Sequence, residues 1–344
     1  MKALALTGLK KLEIIEVPTP KIASDTDVLL KLSVVGVCGS DVHYYETGKI
    51  GSQVVKYPYL IGHECSAIVE QVGKGVKNVK IGDRVAVEPA VSCHQCDQCK
   101  MGRENTCRKL KFLGTPGQGD GCLCEYIVMP EENCFIVNDK LTQIQAALSE
   151  PFTIGVYSAK QGIGDNCEKI AILGSGPIGL SCMTAAKFLG AKKVYMTDKI
   201  ISRLGVAKSH GANWIGNPDE IDIVKEITRI EPLGVDVVYE CAGQQSTIDQ
   251  ALEILRPGGK LVLVGIPRQS TMSFCIDYAR RKEITIVNIR RQNRTTHEAI
   301  ELIADKKVNI DFMVTHKFAF KDAAQAFELV AGYKDGVIKA MIEF

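Results

Sequence analysis

Ile170-Ala171-Ile172-Leu173-Gly174-Ser175-Gly176-Pro177-Ile178-Gly179 is a short apolar run that breaks into glycines and then into a helical pattern. Four apolar residues bounded by a glycine turn read as a buried strand. The turn has the form G-x-G-x-x-G. Gly174 permits the tight turn, Gly176 lets backbone approach a pyrophosphate, and Gly179 lets the helix pack on the strand. The helix beginning at Pro177 and Ile178 then points unpaired N–H groups at phosphate. Asp198 ends the next apolar run, 19 residues past Gly179. Its carboxylate can accept the ribose hydroxyls of NAD and repels a 2′-phosphate. The expected cofactor is therefore NAD and not NADP.

The pattern around this stretch extends the reading. Lys193–Asp198, Val235–Glu240 and Lys260–Val264 read as strands, with helices over Ile178–Leu189, Arg203–His210 and Ser246–Leu255. Strands alternating with helices at this spacing predict a doubly wound parallel sheet, an α/β Rossmann domain, over 152–291. Arg203, Val264 and Gly265 join the cofactor set as residues beside the ends of these strands. Residues 1–151 read differently. Val28–Val35, Ser66–Val72 and Arg84–Val87 are strands split by turns such as Ile81-Gly82-Asp83, so this part is expected to be a β-rich domain. Gln143–Gln161 reads as a helix interrupted near Glu150-Pro151, because proline disfavours helix just before it. Residues 292–344, with helices over Thr296–Ala304 and Asp322–Ala331, are expected to return to the first domain.

Cysteines mark the β-rich part. Cys93, Cys96, Cys99 and Cys107 read C-x2-C-x2-C-x7-C, a spacing that lets four thiolates close around one Zn²⁺. Such a closed site is structural. Cys38, His63 and an acidic residue offer a second, mixed set, and three ligands with an open position support chemistry. Two zinc ions per chain are expected.

Composition excludes several classes. The 42 Lys+Arg against 40 Asp+Glu leave +2 with no long basic block, which gives nucleic-acid binding no electrostatic support. No uncharged apolar stretch reaches about 18 residues, so no spanning helix is expected. Met1–Leu6 is soon followed by Gly8, Lys10 and Lys11 and offers no signal-peptide core. Thirteen cysteines in such a chain indicate thiols and thiolates, hence a cytoplasmic protein.

Cys38-Gly39-Ser40-Asp41-Val42-His43, Gly62-His63-Glu64 and the four-cysteine loop, placed before the Gly174–Gly179 turn, resemble the zinc-dependent medium-chain alcohol dehydrogenases. Val37–Tyr45 with Gly48-Lys49-Ile50-Gly51, Phe112-Leu113-Gly114-Thr115-Pro116 and Leu148-Ser149-Glu150-Pro151 resemble the polyol branch of microbial type. The resemblance implies a GroES-like barrel in the N-terminal domain, an NAD-linked oxidation of a sugar alcohol, and a homo-oligomer, dimer or tetramer. It implies Cys38, His63 and Glu64 as ligands of the catalytic zinc, with Glu150 at the zinc-bound water. Glu64 stays open between ligand and outer carboxylate, because neighbouring strand residues point to opposite faces. Ser40 is implied as the hydroxyl beside the alcohol, His43 as the outer end of a proton relay, and Tyr44 and Arg291 as substrate contacts. Arg290 is the alternative to Arg291.

Overall fold

The strand expected at residues 28–35 runs Asp27–Gly36 and is nearly continuously buried, with only Lys31 exposed. It lacks strict alternation because it has neighbours on every side. It pairs antiparallel with Glu64–Val72, Tyr126–Pro130 and Lys339–Glu343. The computed structural model describes residues 1–137, 139–165 and 167–344. They divide into two units, one formed by Met1–Glu150, Thr296–Lys306 and Val314–Phe344, the other by Pro151–Thr295 and Lys307–Met313. Set beside the expected boundaries at 151/152 and 291/292, the divisions fall at 150/151 and 295/296, and residues 307–313 lie in the second unit.

In the first unit a seven-stranded sheet carries Cys134–Ile136, Arg84–Val87, Glu64–Val72, Asp27–Gly36, Lys339–Glu343 and Val314–Ala319 in that order, with Tyr126–Pro130 on Asp27–Gly36. A three-stranded sheet of Lys11–Glu16, Lys2–Gly8 and Tyr59–Leu60 shares its core. Leu4, Leu6, Leu30, Ile61 and Leu123 are fully buried there. Each such side chain contributes roughly 1.5–3 kcal/mol by leaving water. The helix Gly39–Thr47, which the strand pattern did not foretell, follows Cys38 directly and ends at Gly48 in the left-handed region (φ 69°).

The second unit has six parallel strands: β1 (Lys169–Leu173), β2 (Lys193–Thr197), β3 (Trp214–Gly216), β4 (Val235–Glu240), β5 (Leu255–Leu263) and β6 (Thr285–Asn288). Their order is β3-β2-β1-β4-β5-β6, which places the switch point between β1 and β4. Helices α1 (Pro177–Phe188) and α2 (Gln245–Ile254) follow β1 and β4. The register aligns Leu173 with Thr197 and Glu240, and Glu240 with Leu263. Gly174, Asp198, Cys241 and Val264 therefore leave the sheet at one edge.

One expectation is corrected. The helix over residues 143–162 is continuous, with Pro151 inside it. Proline removes one intrahelical bond. Burial of Ala146, Ala147, Leu148, Phe152 and Val156 along the helix offsets that loss.

Candidate functional site

The four-cysteine loop has its sulfurs gathered. Their ligand atoms all lie within 4.8 Å of one another. Cys96 Sγ is 3.5 Å from Cys99 Sγ and 3.9 Å from Cys107 Sγ. A tetrahedron with Zn–S bonds of about 2.3 Å has edges of roughly 3.8 Å, so the donors already fit the ion. Local sequence makes this possible. Asp97–Lys100 is a single helical turn that carries Cys99, and the Cys93 and Lys109 N–H groups donate to Cys107 Sγ. Backbone N–H groups of Arg108 and Cys99 bring the Cys96 thiol down to about 6, whereas burial pushes Cys99 up to about 12. Arg108 holds Asp97 across the loop with two bonds of 2.5 and 2.8 Å.

The second cluster is Cys38, His63 and Glu64, again with ligand atoms within 4.8 Å. Cys38 stands between the strand Asp27–Gly36 and the helix Gly39–Thr47. His63 immediately precedes the strand Glu64–Val72. Because His63 lies outside the strand, the alternation that would send Glu64 to the opposite face does not apply. Gly62 adopts φ 99° and its N–H donates to Asp41 Oδ1 (3.2 Å). A Cβ there would meet the Leu123 side chain at 2.9 Å, so only glycine makes this turn.

The charges around the cluster favour a cation. Asp41 is fully buried, with Oδ2 3.5 Å from His63 Nδ1. That is too long for a good hydrogen bond, and Oδ2 has no other partner. Burial opposes a charged His63, yet Asp41 and the Cys38 thiolate outweigh it and hold the ring pKa well above the usual histidine range. A divalent ion would take the place of that proton, with Nδ1 facing Asp41 and Nε2 left to bind. The donors thus fit zinc in type and number.

Ser40 Oγ donates to Cys38 Sγ at 3.3 Å. Glu150 is buried, and burial is the main cause that pushes its carboxyl up to about 8, with His63 lowering it and Glu64 and Glu88 raising it further. His43 and Tyr44 share the helix with Ser40. The Tyr44 hydroxyl donates to Gln53 Oε1 (3.1 Å). Arg291 belongs to the second unit, in left-handed backbone (φ 54°).

Sequence reasoning missed two groups here. One is Asp41, whose only signal was its place inside the Cys38–His43 motif. The other is Lys339, buried at 2%, whose ammonium donates to both Glu64 oxygens and to the Val37 carbonyl. A lone lysine in Val337-Ile338-Lys339-Ala340-Met341-Ile342 was the available clue.

In the second unit Gly174 takes φ 110°, and a Cβ on Gly179 would sit 1.9 Å from the Gly174 carbonyl oxygen. Helix and turn are thus in contact, as the motif requires. Gly176 faces open space except for Arg203 Nη1, 3.4 Å from its would-be Cβ. Asp198 Oδ2 accepts from the Ser175 N–H (2.8 Å) and Oδ1 from the Ile200 N–H (2.9 Å). The carboxylate therefore holds the first glycine turn. Val264 and Gly265 donate their N–H groups to the Glu240 carbonyl.

Comparison with known proteins adds the following. Residues 24–139 match the alcohol dehydrogenase GroES-like domain, and residues 177–305 match the zinc-binding dehydrogenase family. Sorbitol dehydrogenase of Bacillus subtilis (strain 168) is 39% identical over 99% of this chain and 97% of its own. Two solved structures share the fold over 100% of this chain and 99% of theirs. One is an alcohol dehydrogenase from Escherichia coli CFT073 complexed with NADH (TM-score 0.90, 29% identity). The other is a zinc-binding dehydrogenase from Sinorhizobium meliloti 1021 bound to NADP (TM-score 0.91, 27% identity).

Proposed function

The chain belongs to the zinc-dependent medium-chain dehydrogenases, and from that premise we propose that it oxidises a secondary hydroxyl of a sugar alcohol to a ketose, with NAD as hydride acceptor. The observation that carries the reading is the Cys38–His63–Glu64 cluster, with Ser40 on Cys38 and the buried Glu150 carboxyl close enough to feel His63 and Glu64. Bound there, zinc would polarise the substrate hydroxyl and lower its pKa. Cys38, His63 and Glu64 would hold it. Ser40 Oγ, two residues past Cys38, would orient the alcohol and take part in removing its proton. His43, on the same helix, would pass that proton outward, since an imidazole exchanges protons near neutral pH. Glu150 would exchange a proton with solvent bound in the site and leave metal retention to the other three. Tyr44 and Arg291 would contact the polyol hydroxyls, the guanidinium by several donors at once. Gly174, Gly176, Pro177, Ile178, Gly179, Arg203, Val264 and Gly265 would cradle the dinucleotide, and Asp198 would select NAD. Cys93, Cys96, Cys99 and Cys107 would hold a second zinc that fixes their loop.

The likeness to sorbitol dehydrogenase favours a polyol among alcohols. A panel of polyols, diols and sugar phosphates, assayed with NAD and with NADP and with and without chelator, tests this. A chelator-sensitive, NAD-linked preference for polyols is expected. Preference for a diol or a phosphorylated sugar would overturn the substrate assignment. No helix among the described residues is long and apolar enough to cross a membrane. The thirteen cysteines all stand outside disulfides, which suits the cytoplasm. A homo-oligomer, dimer or tetramer, is expected from light scattering of the purified protein.

A further inference from the structure

Glu240, the last residue of β4, is 1% exposed and plays no part in the functions assigned above. Its Oε1 accepts three bonds, from the Ala242 N–H (2.9 Å), the Gly243 N–H (2.7 Å) and Thr247 Oγ1 (2.7 Å). The first two donors form the turn after β4, and Thr247 stands in the first turn of α2. That helix has no side-chain cap at Gln244, so a carboxylate at its start also meets its partial positive charge. Burial raises the Glu240 pKa, while the bonds from Thr247, Gly243, Ala242 and Gln244 pull it back.

The turn that Glu240 holds is wedged between two other loops. A Cβ on Gly174 would lie 3.0 Å from the Ala242 nitrogen and the Cys241 carbonyl carbon. A Cβ on Gly265 would lie 2.4 Å from the Gly243 nitrogen and 2.8 Å from Glu240 Oε2. A Cβ on Gly243, which has φ 67°, would lie 2.6 Å from the Ile266 carbonyl oxygen. Three glycines thus interlock the loops after β1, β4 and β5, with the Glu240 carboxylate behind the joint. These loops stand at the carboxyl ends of the strands on both sides of the switch point. A dinucleotide placed with its pyrophosphate on the β1 turn must run its second half across the β4 and β5 loops.

Resting on the NAD reading, the geometry points to Glu240 as a positioning residue for the nicotinamide half of the cofactor, acting through the 241–243 and 264–266 loops. Removing its acceptors leaves the buried Gly243 N–H unpaired, frees the part-buried Ala242 N–H and Thr247 hydroxyl, and lets the joint relax, whereas the β1 turn keeps its own supports in Asp198 and Gly179. The adenine half should not feel the change.

NADH binding by nicotinamide fluorescence and ADP binding by calorimetry separate the two halves, because ADP carries no nicotinamide riboside. In Glu240→Ala the Kd for NADH is expected to rise on the order of tenfold, with ADP within about twofold of wild type. Glu240→Gln, whose amide oxygen can take the place of Oε1, should restore NADH binding to within about threefold. Should Glu240→Ala fail to fold, Glu240→Asp withdraws the acceptor by one methylene and serves in both arms. Equal losses for ADP and NADH, or no loss for either, would overturn the inference. Wild-type protein that binds neither nucleotide would overturn the dinucleotide reading and this inference with it.

Discussion

Lys339 Nζ lies 2.7 and 2.8 Å from the two oxygens of Glu64, in a pair whose side chains are 2% and 1% exposed and stand 275 residues apart. One group comes from a motif beside His63, the other from the last strand. The pair fixes the Glu64 carboxylate next to Cys38 and His63, and the Lys339 ammonium compensates a charge that would otherwise be buried alone. Burial disfavours the ammonium, but Glu64 and Cys38 outweigh it and raise its pKa. Gly36 makes room, since a Cβ there would sit 2.2 Å from Glu64 Oε2.

Lys339→Met should therefore cost the metal-free protein about 3–5 kcal/mol, the penalty of an unpaired buried charge. Zinc should recover more stability in this variant than in wild type, because the metal becomes the sole partner of Glu64. Melting curves with zinc and with chelator measure both effects. The double variant Glu64→Gln/Lys339→Met should be more stable without metal than Lys339→Met alone. A single variant as stable as wild type would show that the pair carries no such burden.

The four-thiolate loop and the Cys38–His63–Glu64 cluster together predict about two zinc ions per chain. Cys99→Ser should lower the metal content to about one and reduce the melting temperature, leaving the Cys38 cluster loaded. Metal analysis of the purified protein decides this. A stoichiometry unchanged by Cys99→Ser would refute a four-thiolate site.

Glu150 should tune the Cys38 site without holding its metal. Glu150→Gln is expected to retain zinc with lowered kcat, whereas Cys38→Ser loses zinc and activity together. Zinc loss as complete in Glu150→Gln as in Cys38→Ser would make Glu150 a ligand.

Burial raises the folded-state pKa of Glu150 to about 8, from an ordinary value of 4.5. The folded metal-free protein then binds more protons than the unfolded chain between these values. Its contribution to stability is full below about 4.5 and is lost as pH rises through about 8, by at most ~1.4 kcal/mol per pH unit. Metal-free wild type should melt at falling temperatures over this window. Glu150→Gln should flatten the slope, and so should zinc, whose charge favours the carboxylate. A slope that survives the substitution unchanged would assign it to another group.

Asp198→Gly should weaken NAD binding on the order of tenfold and relax the exclusion of NADP, because the ribose acceptor, the repelling charge and the Ser175 tether all go. Kinetics with both cofactors test it. Wild-type enzyme that already uses the two equally would tell against the role of Asp198.

Local periodicity and spacing determined much by themselves. The β1 run and its glycine turn, the alternation after residue 168 and the four-cysteine loop were legible because each is a short-range pattern whose physics closes within about thirty residues. His63 and Cys38 were legible as donor types beside glycine-marked turns. What tertiary structure alone decided involves groups far apart in the chain. Lys339 reaches Glu64 because the last strand pairs with Asp27–Gly36, and no local pattern encodes that pairing. The helix crosses Pro151 unbroken because burial on both sides outweighs one lost hydrogen bond. Glu240 looked like the end of a strand, and became a joint between loops only when the parallel register brought Gly174, Gly243 and Gly265 to one edge. Sequence proximity sets which groups can meet early and cheaply. Burial and register set which distant charges must be paired.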